Sequence, residues 1–448
     1  MLPAINDYIL SADGNKIGYR LRNDFGIIDA KPKQKPGAGK LNLGGMQMTV
    51  DYKAEWQQIY YDAWRMYRDM FYDPNMHGVD WEAMKRRYEV LLPYIAHRDD
   101  LNYIIGELNT GHTYRGGGEF PNLQRVQVGT LACDFAPDPD SGYYRITKIY
   151  KGHSWDPQRR SPLIQPGVSV KAGDYLISID GEEVRYPDNP YRHLVNTVGK
   201  QVAITIKSDP AAEVGKDMTV VPVGSDGIHR YIDWVMGNVE KVNKASDGRI
   251  GYIHVPDTAP GGWEWFNRLY QSQAGKEALI VDGRYNSGGY DPVVMLERLN
   301  RKFSGLWVSR YSEAESVPYY AVFGPKVCLT NHWAGSGGDN LPFTFRTYNL
   351  GPVIGTRTWG GLVGYNSGSI NPLVDGGGAI PMVAFVNPQG EFDVENKGVI
   401  PDIVVDNLPP DVINGRDPQL EAGIDYLLKK LAEEPNPVPK APTKFPVR

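Results

Sequence analysis

Residues 326–339, KVCLTNHWAGSGGD, join a short apolar strand to a Gly-Ser-Gly-Gly turn. The apolar and aromatic run LPFTFRTY that follows can open a helix, so this stretch predicts a strand, a tight turn and a helix in succession. Ser336 would then lie at a helix N-terminus, where unpaired N–H groups and the helix dipole favour negative charge. Acyl transfer needs such donors for the developing oxyanion, so Ser336 is a candidate nucleophile. The alternative is a flexible loop without a catalytic role.

Strands and helices alternate on both sides of this stretch. Between residues 226 and 432 the strand-like runs are RIGYIHV, ALIVD, KVCLT and PVIG, and the helical runs are WEWFNRLY, DPVVMLERLN and GIDYLLKKL. This alternation predicts an α/β layered domain over residues 226–432. The Pro-rich end, residues 433–448, is predicted to be disordered.

Three further regions precede that domain. Residues 1–47 contain short strand-like runs with turns. Aromatic and aliphatic residues recur at helical spacing over residues 48–118, which predicts helices behind Asp51 and Asp80 and a third helix that ends before Gly111. Strand-like runs over residues 119–225 predict a small β domain. The fold class is therefore α/β in a multidomain α+β arrangement, as the length of 448 residues also requires.

Two other segments have the composition of a catalytic site. Residues 282–290, DGRYNSGGY, follow a strand and contain a Gly pair, through which backbone N–H groups can approach a ligand closely. Residues 110–118, TGHTYRGGG, place His112 after a predicted helix end, where the dipole stabilises an imidazolium. The alternatives are an ordinary turn and a structural histidine. Only tertiary structure can bring His112 to Ser336.

Composition excludes several classes of protein. The net charge of −5 and the pI near 6.0 give no basic surface for nucleic acid or anionic membrane, so neither is expected as a partner. Cys133 and Cys328 each lie in an apolar run, which predicts buried free thiols. No membrane-spanning stretch or signal peptide is recognised. We expect a cytoplasmic protein, or a periplasmic one if the natural chain begins upstream of residue 1.

From about Asp51 to Leu428 the chain resembles the peptidase half of the tricorn proteases. The matching segments, in chain order, are TGHTYRGGG, DGRYNSGGY, AGSGGD, GTRTWGGLVG, VENKGVIPD and GRDPQLEAGID. The resemblance implies a helical subdomain, a PDZ domain and a superhelical, crotonase-like α/β/α catalytic domain of the C-terminal-processing-peptidase type. It also implies a serine peptidase that acts on peptides without cofactor or metal and assembles as a homo-hexamer. Residues 1–47 would be the last strands of a β-propeller.

The resemblance also implies roles for individual residues. Ser336 would attack the peptide carbonyl, and His112 would take its proton and return it to the leaving amine. Glu395 would belong to the charge-orienting part of the site. Residues 167–184, GVSVKAGDYLISIDGEEV, resemble a PDZ domain, which binds peptide C-termini as an added strand. The backbone donors would be Gly337, Gly288 and Gly289 for the oxyanion hole, and Gly129, Thr130 and Leu131 for the peptide carboxylate.

The sequence departs from the family pattern at two places. Tricorn proteases have a serine immediately before the catalytic histidine, which links it to the glutamate, and this chain has Gly111 there. A water, Thr110, Thr113 or direct contact with Glu395 could replace the missing hydroxyl. The family places an acidic residue for basic P1 side chains where this chain has SGLWVSR, residues 304–310. We therefore predict an apolar or aromatic P1 preference, set by the Leu-Trp pair at positions 306 and 307.

Three rival functions can be weighed from the residues. The C-terminal-processing peptidases with a Ser-Lys dyad have their lysine in a T-F-G-K-G segment, and this chain has TWGGL, without lysine, at residues 358–362. A metallopeptidase is disfavoured, because no H-E-x-x-H motif occurs. A non-catalytic PDZ scaffold with a degenerate site stays open because of Gly111.

Overall fold

The computed structural model describes residues 6–35, 37–98, 100, 106–115, 121, 123–365, 378–434 and 437–444. Its strands are β1 Asp7–Leu10, β2 Lys16–Leu21, β3 Asp24–Asp29, β4 Tyr114–Arg115, β5 Cys133–Asp138, β6 Tyr143–Ile149, β7 Tyr175–Ile179, β8 Glu182–Glu183, β9 Val202–Lys207, β10 Lys216–Val220, β11 Ile250–His254, β12 Ala278–Asp282, β13 Gly305–Trp307, β14 Glu315–Val317, β15 Lys326–Thr330, β16 Val353–Gly355, β17 Gly364–Tyr365, β18 Gly378–Ala379, β19 Pro381–Val383 and β20 Ile403–Val404. Its α-helices are α1 Tyr52–Met70, α2 Trp81–Glu89, α3 Gly227–Ala245, α4 Pro260–Ser272, α5 Val293–Leu299, α6 Gly337–Thr347, α7 Pro409–Ile413 and α8 Pro418–Glu433.

The first half of the chain forms two sheets and a helical region. Strands β1, β2 and β3 make an antiparallel sheet, as the alternating sequence predicts. Helices α1 and α2 begin behind Asp51 and Asp80, whose carboxylates accept hydrogen bonds from first-turn amides, so both predicted caps are confirmed. Most of the predicted third helix lies outside the described residues. Strands β5 to β10 form an antiparallel sheet in the order β10-β9-β7-β6-β5, with β8 paired to β7.

The α/β domain is built on five parallel strands in the order β11-β12-β15-β16-β20. The first four are buried along their whole length, which is why they are apolar runs in the sequence. Helices α3 and α4 pack on β11, and α8 packs on β12, β15 and β16. Because the strands are parallel, the segments that follow β11, β12, β15 and β16 meet at one edge of the sheet.

A buried ion-pair network fixes one of these segments. The guanidinium of Arg284, which is 1% exposed, donates to Asp282 at 2.7 Å and to Asp417 at 2.7 Å. Asp417 is also the N-cap of α8, where it accepts from the Leu420 amide. The acidic partners hold the pKa of Arg284 well above its ordinary value. The buried ion pairs therefore join two segments, residues 282–290 (DGRYNSGGY) and residues 415–425 (GRDPQLEAGID).

The helical region is tied to the same edge of the sheet. Strand β4 pairs with β18, and the Tyr72 amide donates to the Pro381 carbonyl at 3.0 Å. The Tyr67 hydroxyl donates to the Ala379 carbonyl at 3.2 Å. These contacts bring the loop before β4, which contains His112, to the α/β domain.

The remaining sequence predictions concern the thiols and the tail. Cys133 and Cys328 are buried and unpaired, as predicted. Helix α8 ends at Glu433, and residues 435, 436 and 445–448 of the predicted disordered tail lie outside the described residues. Among the helices that the structure describes, none is both long and apolar enough to span a bilayer.

Candidate active site

A cleft of about 630 Å³ lies at the carboxyl edge of the parallel sheet, and both Ser336 and His112 line it. Gly289 and Gly337 also line the cleft, and Val383 to Phe385 contribute an apolar wall. The segments after β12 and β15 and the loop before β4 therefore meet where the sequence analysis predicted a site. The chain brings its two candidate catalytic side chains to one cavity.

Ser336 is the residue immediately before helix α6, as predicted from the strand-turn-helix pattern. Its backbone has φ 58° and ψ −117°, a conformation that a residue with a side chain rarely adopts. Such strain, of order 1–3 kcal/mol, is typical of functional sites. His112 has φ 57°, so both candidate catalytic residues have a positive φ.

The glycines around Ser336 are required by close contacts. A Cβ on Gly335 would lie 2.7 Å from the Trp359 ring, and one on Gly337 would lie 2.1 Å from Thr258 Oγ1. A Cβ on Gly338 would lie 2.7 Å from the backbone oxygen of Asn286, in the turn that follows β12. No larger residue fits at these three positions, which explains the Gly-Ser-Gly-Gly sequence physically.

Asp339 holds in place the turn of residues 335–338, which we call the nucleophile turn. The sequence analysis did not identify this role of Asp339. Its carboxylate is fully buried and accepts hydrogen bonds from the amides of Ser336 at 2.8 Å, Gly360 at 2.8 Å and Gly361 at 3.1 Å. The Thr358 hydroxyl is a fourth donor. Burial raises the pKa of Asp339, and the hydrogen bonds oppose that rise. Asp339 thus attaches Ser336 to the segment that follows β16.

Two backbone amides near Ser336, those of Gly289 and Gly337, lack an acceptor in the part of the chain that the structure describes. Gly289 forms a parallel bridge with Thr258 in which the amides of Thr258 and Tyr290 are the donors, so the Gly289 amide points away from that contact. Gly337 begins helix α6, where an amide has no partner within the helix. Within the described residues, neither the Gly289 amide nor the Gly337 amide donates a hydrogen bond.

Gly288 does not belong to this pair of donors, contrary to the prediction. Its amide donates to Asn286 Oδ1 at 2.9 Å and is therefore occupied. Gly288 instead permits close approach, because a Cβ there would lie 2.7 Å from the Ser336 Cβ. Asn286, a second residue that the sequence analysis missed, also donates from Nδ2 to the Val255 carbonyl at 2.8 Å and accepts from the Gly335 amide at 3.1 Å.

His112 is buried among aromatic rings. Its ring centroid lies 5.2 Å from that of Tyr365, 5.6 Å from Trp359 and 5.8 Å from Tyr114. Burial lowers the pKa of His112, while the nearby carboxylates act in the opposite direction. A lowered pKa keeps the imidazole neutral, which is the form that can accept a proton.

The Glu395 carboxylate contacts the residues just before His112 and the segment that follows β16. One carboxylate oxygen accepts from the Gly111 amide at 2.6 Å and the Thr110 hydroxyl at 3.3 Å. The other accepts from the amides of Leu362 at 2.7 Å and Val363 at 3.0 Å. The Glu395 side chain therefore joins the loop before β4 to the segment after β16.

The predicted link from Glu395 to the imidazole is not formed by protein groups. Among the described residues, His112 Nδ1 is buried and has no hydrogen-bond partner. Thr110 donates to Glu395, and Thr113 donates to the Thr110 carbonyl at 3.3 Å, so neither hydroxyl bridges to the ring. Within the part of the chain that the structure describes, Glu395 makes no hydrogen bond to His112 Nδ1 either. The predictions that Thr110, Thr113 or direct contact with Glu395 replaces the missing serine hydroxyl are therefore wrong.

The predicted peptide-carboxylate loop is largely occupied by internal contacts. The Gly129 amide donates to the Leu194 carbonyl at 2.8 Å, and the Thr130 amide donates to the Val223 carbonyl at 2.8 Å. Leu131 is fully buried. Two of the three predicted donors are therefore unavailable to a peptide carboxylate while these contacts hold.

The predicted P1 determinants also require correction. Leu306 and Trp307 lie in the hairpin of β13 and β14, and neither lines the cleft within a single chain. Asp291 does line it, beside the apolar wall that contains Phe385. The aromatic P1 preference based on positions 306 and 307 is therefore not supported.

Comparisons with known proteins agree with this architecture. The Tricorn protease C1 domain matches residues 52–110, the Tricorn protease PDZ domain matches residues 129–225, and Peptidase family S41 matches residues 249–405. Tricorn protease homolog 1 of Streptomyces coelicolor is 36% identical over 407 residues, which are 89% of this chain and 37% of the relative. The putative Tricorn-like protease C-terminal subunit of Sulfurisphaera tokodaii is 34% identical over 451 residues, covering 96% of this chain and 50% of the relative.

A solved structure shows the same fold. The crystal structure of the tricorn protease superposes with a TM-score of 0.87 at 30% identity, over 96% of this chain and 42% of that one. The chain thus spans half or less of the length of these relatives. It belongs to the tricorn protease family of serine peptidases and contains the C1, PDZ and S41 peptidase regions of that family.

Proposed function

We propose that the chain hydrolyses oligopeptides through an acyl-enzyme, with Ser336 as nucleophile and His112 as general base. The observation that carries this proposal is the placement of Ser336 at the N-terminus of α6, in the same cleft as His112 and two amides that have no acceptor among the described residues. A nucleophile, a neutral imidazole and oxyanion donors are the groups that acyl transfer requires.

In the first half of the reaction, Ser336 Oγ attacks the peptide carbonyl carbon while His112 accepts the hydroxyl proton. In this scheme the carbonyl oxygen becomes an oxyanion that accepts hydrogen bonds from the amides of Gly289 and Gly337. Collapse of this intermediate breaks the C–N bond, and His112 returns the proton to the leaving amine. The acyl group is then bonded to Ser336.

In the second half, a water attacks the acyl carbon and gives its proton to His112. The resulting intermediate collapses, the C–O bond to Ser336 breaks, and Ser336 regains its proton from the imidazolium. Glu395 acts as a positioning residue in this scheme, because its contacts are to the backbone beside His112. The imidazole itself touches the reacting atoms.

The direct test is hydrolysis of a mixed peptide library by the purified chain, followed by mass spectrometry. The proposal expects cleaved products with new amino and carboxyl ends. Peptide binding without cleavage would favour the non-catalytic PDZ scaffold. The homo-hexamer implied by the resemblance and the cytoplasmic location expected from the sequence both stay predictions, and light scattering of the purified chain would test the former.

The pH dependence of the reaction should reflect the buried imidazole. The base must be neutral, so kcat/KM is expected to rise with pH through the apparent pKa of His112 and then level off. Because burial lowers this pKa, the midpoint is expected below the ordinary histidine value of about 6.5. A pH–rate profile between about 4 and 8 measures it. A midpoint clearly above 7 would contradict this assignment of the base.

Restoring the missing hydroxyl is expected to have a modest effect. The backbone of Gly111 lies outside the left-handed region, so Ser can adopt it, but a Cβ there would lie 3.0 Å from Glu395 Oε1. Gly111→Ala shares this contact and lacks the hydroxyl, so it is the matched control. We expect Gly111→Ser to remain folded, within about threefold of wild-type turnover, and to exceed Gly111→Ala. Equal rates for the two variants would mean that the hydroxyl contributes nothing.

A further inference from the structure

The imidazole of His112 needs an orienting contact that hydrogen bonds from the described residues do not supply. Its Nδ1 atom is buried and has no partner among them, and Glu395 binds the backbone of the preceding residue instead. In a Ser-His-Asp triad the corresponding nitrogen donates to a carboxylate, and loss of that tautomer control is severe. Orientation of the ring must therefore come from its other neighbours.

Trp359 contacts the ring and both of the segments that carry the catalytic candidates. Its indole centroid lies 5.6 Å from the His112 centroid at an interplanar angle of 44°. A Cβ on Gly335, next to the nucleophile, would lie 2.7 Å from the indole, and one on Gly111, next to the base, would lie 3.7 Å from it. The indole therefore lies between the turn that contains Ser336 and the loop before β4 that contains His112.

Trp359 is 47% exposed, and its inner side is held by the backbone around Ser336. Its amide donates to the Ala334 carbonyl at 2.9 Å. The next two amides, of Gly360 and Gly361, donate to buried Asp339, which also accepts from the Ser336 amide. A Cβ on Gly361 would lie 2.3 Å from the indole, so the backbone passes directly against the ring. Movement of Trp359 would therefore disturb the nucleophile turn as well.

We propose that Trp359 is the positioning residue of the general base: its indole holds the His112 ring in place and attracts the imidazolium that forms when Ser336 loses its proton. Trp is the aromatic side chain that binds a cation most strongly through its ring face. A cation forms on His112 only during the reaction, so the indole stabilises the transition state more than the ground state. This inference rests on the proposed function.

The test compares three substitutions of Trp359 in the full chain, with kcat and KM measured on one fluorogenic peptide. Trp359→Leu removes the ring and is expected to lower kcat roughly 10- to 100-fold, with KM within about twofold of wild type. Trp359→Phe keeps a ring and should recover kcat to within about threefold. If Trp359→Leu does not fold, Trp359→Met replaces it, since methionine fills irregular space without a π system.

Trp333→Leu is the matched control, because Trp333 is 66% exposed and lies near the nucleophile without contacting His112. It should leave kcat unchanged. A wild-type kcat in Trp359→Leu, a loss in Trp359→Phe equal to that in Trp359→Leu, or an effect confined to KM would each overturn the inference. If wild type itself does not hydrolyse peptides, the proposed function fails. If Ser336→Ala is inactive and Trp359→Leu is not impaired, only this inference fails.

Discussion

Replacement of Ser336 by alanine is expected to abolish peptide hydrolysis without unfolding the chain. Alanine keeps the Cβ and the backbone contacts of Ser336, including the amide that donates to Asp339, and removes only the attacking oxygen. Loss of a serine nucleophile costs about 10⁶-fold in kcat in a comparable peptidase, and we expect a loss of that order. Turnover of a fluorogenic peptide and thermal unfolding measure the two expectations separately.

His112→Ala is expected to lose about as much activity as Ser336→Ala, and the double variant little more, because nucleophile and base act as one unit. Ser309→Ala, at an exposed serine that does not line the cleft, is the control and should retain wild-type turnover. Wild-type-like turnover in Ser336→Ala would rule out the proposed nucleophile. Independent, multiplicative losses in the double variant would argue against a shared mechanism.

The second large effect is expected for Glu395→Gln. The carboxylate accepts four hydrogen bonds, two on each oxygen, and an amide nitrogen cannot accept those on one side. The loop that contains His112 should then shift relative to Ser336. A misplacement of a catalytic group by about 1 Å costs about 10²-fold in rate. We expect at least that loss in kcat, together with about 2–4 kcal/mol in the free energy of unfolding.

Glu391→Gln is the matched control for this experiment. Glu391 is exposed, lies in the same segment, and its carboxylate makes no hydrogen bond with the described residues. It should behave as wild type in turnover and in denaturant unfolding. If Glu395→Gln matches Glu391→Gln in both measurements, the backbone contacts of Glu395 do not position the base.

The local parts of this site could be predicted from the sequence. An apolar strand, a glycine-rich turn and a following helix depend on neighbouring residues, so the position of Ser336 before α6 was predicted correctly. The N-caps at Asp51 and Asp80 are local in the same way, since each carboxylate binds amides two or three residues ahead.

The direction of each hydrogen bond could not be predicted in that way. A glycine pair at positions 288 and 289 indicates close backbone approach, but which amide is free depends on Asn286, which occupies one of them. Asp339 was overlooked because its donors come from residues that follow a different strand. The glycines at positions 335 and 361 leave room for the Trp359 ring, a reason that only the assembled structure provides.

The correction at the P1 pocket has a similar origin. The prediction for positions 306 and 307 rests on their place along the chain, but they lie in the hairpin of β13 and β14 and do not line the cleft of the same chain. Asp291, which does line the cleft, directly follows the segment 282–290 that contains the glycine pair. Sequence order alone does not distinguish these two positions.

Covalent labelling by a fluorophosphonate probe tests the central claim most directly, because the probe reacts only with a serine that is activated by a base. Intact mass and peptide mapping of the wild-type chain are expected to show one adduct per chain, on Ser336. Labelling should disappear in Ser336→Ala and become far slower in His112→Ala. An unlabelled wild-type chain, or an adduct at another residue that forms equally well without His112, would contradict the account.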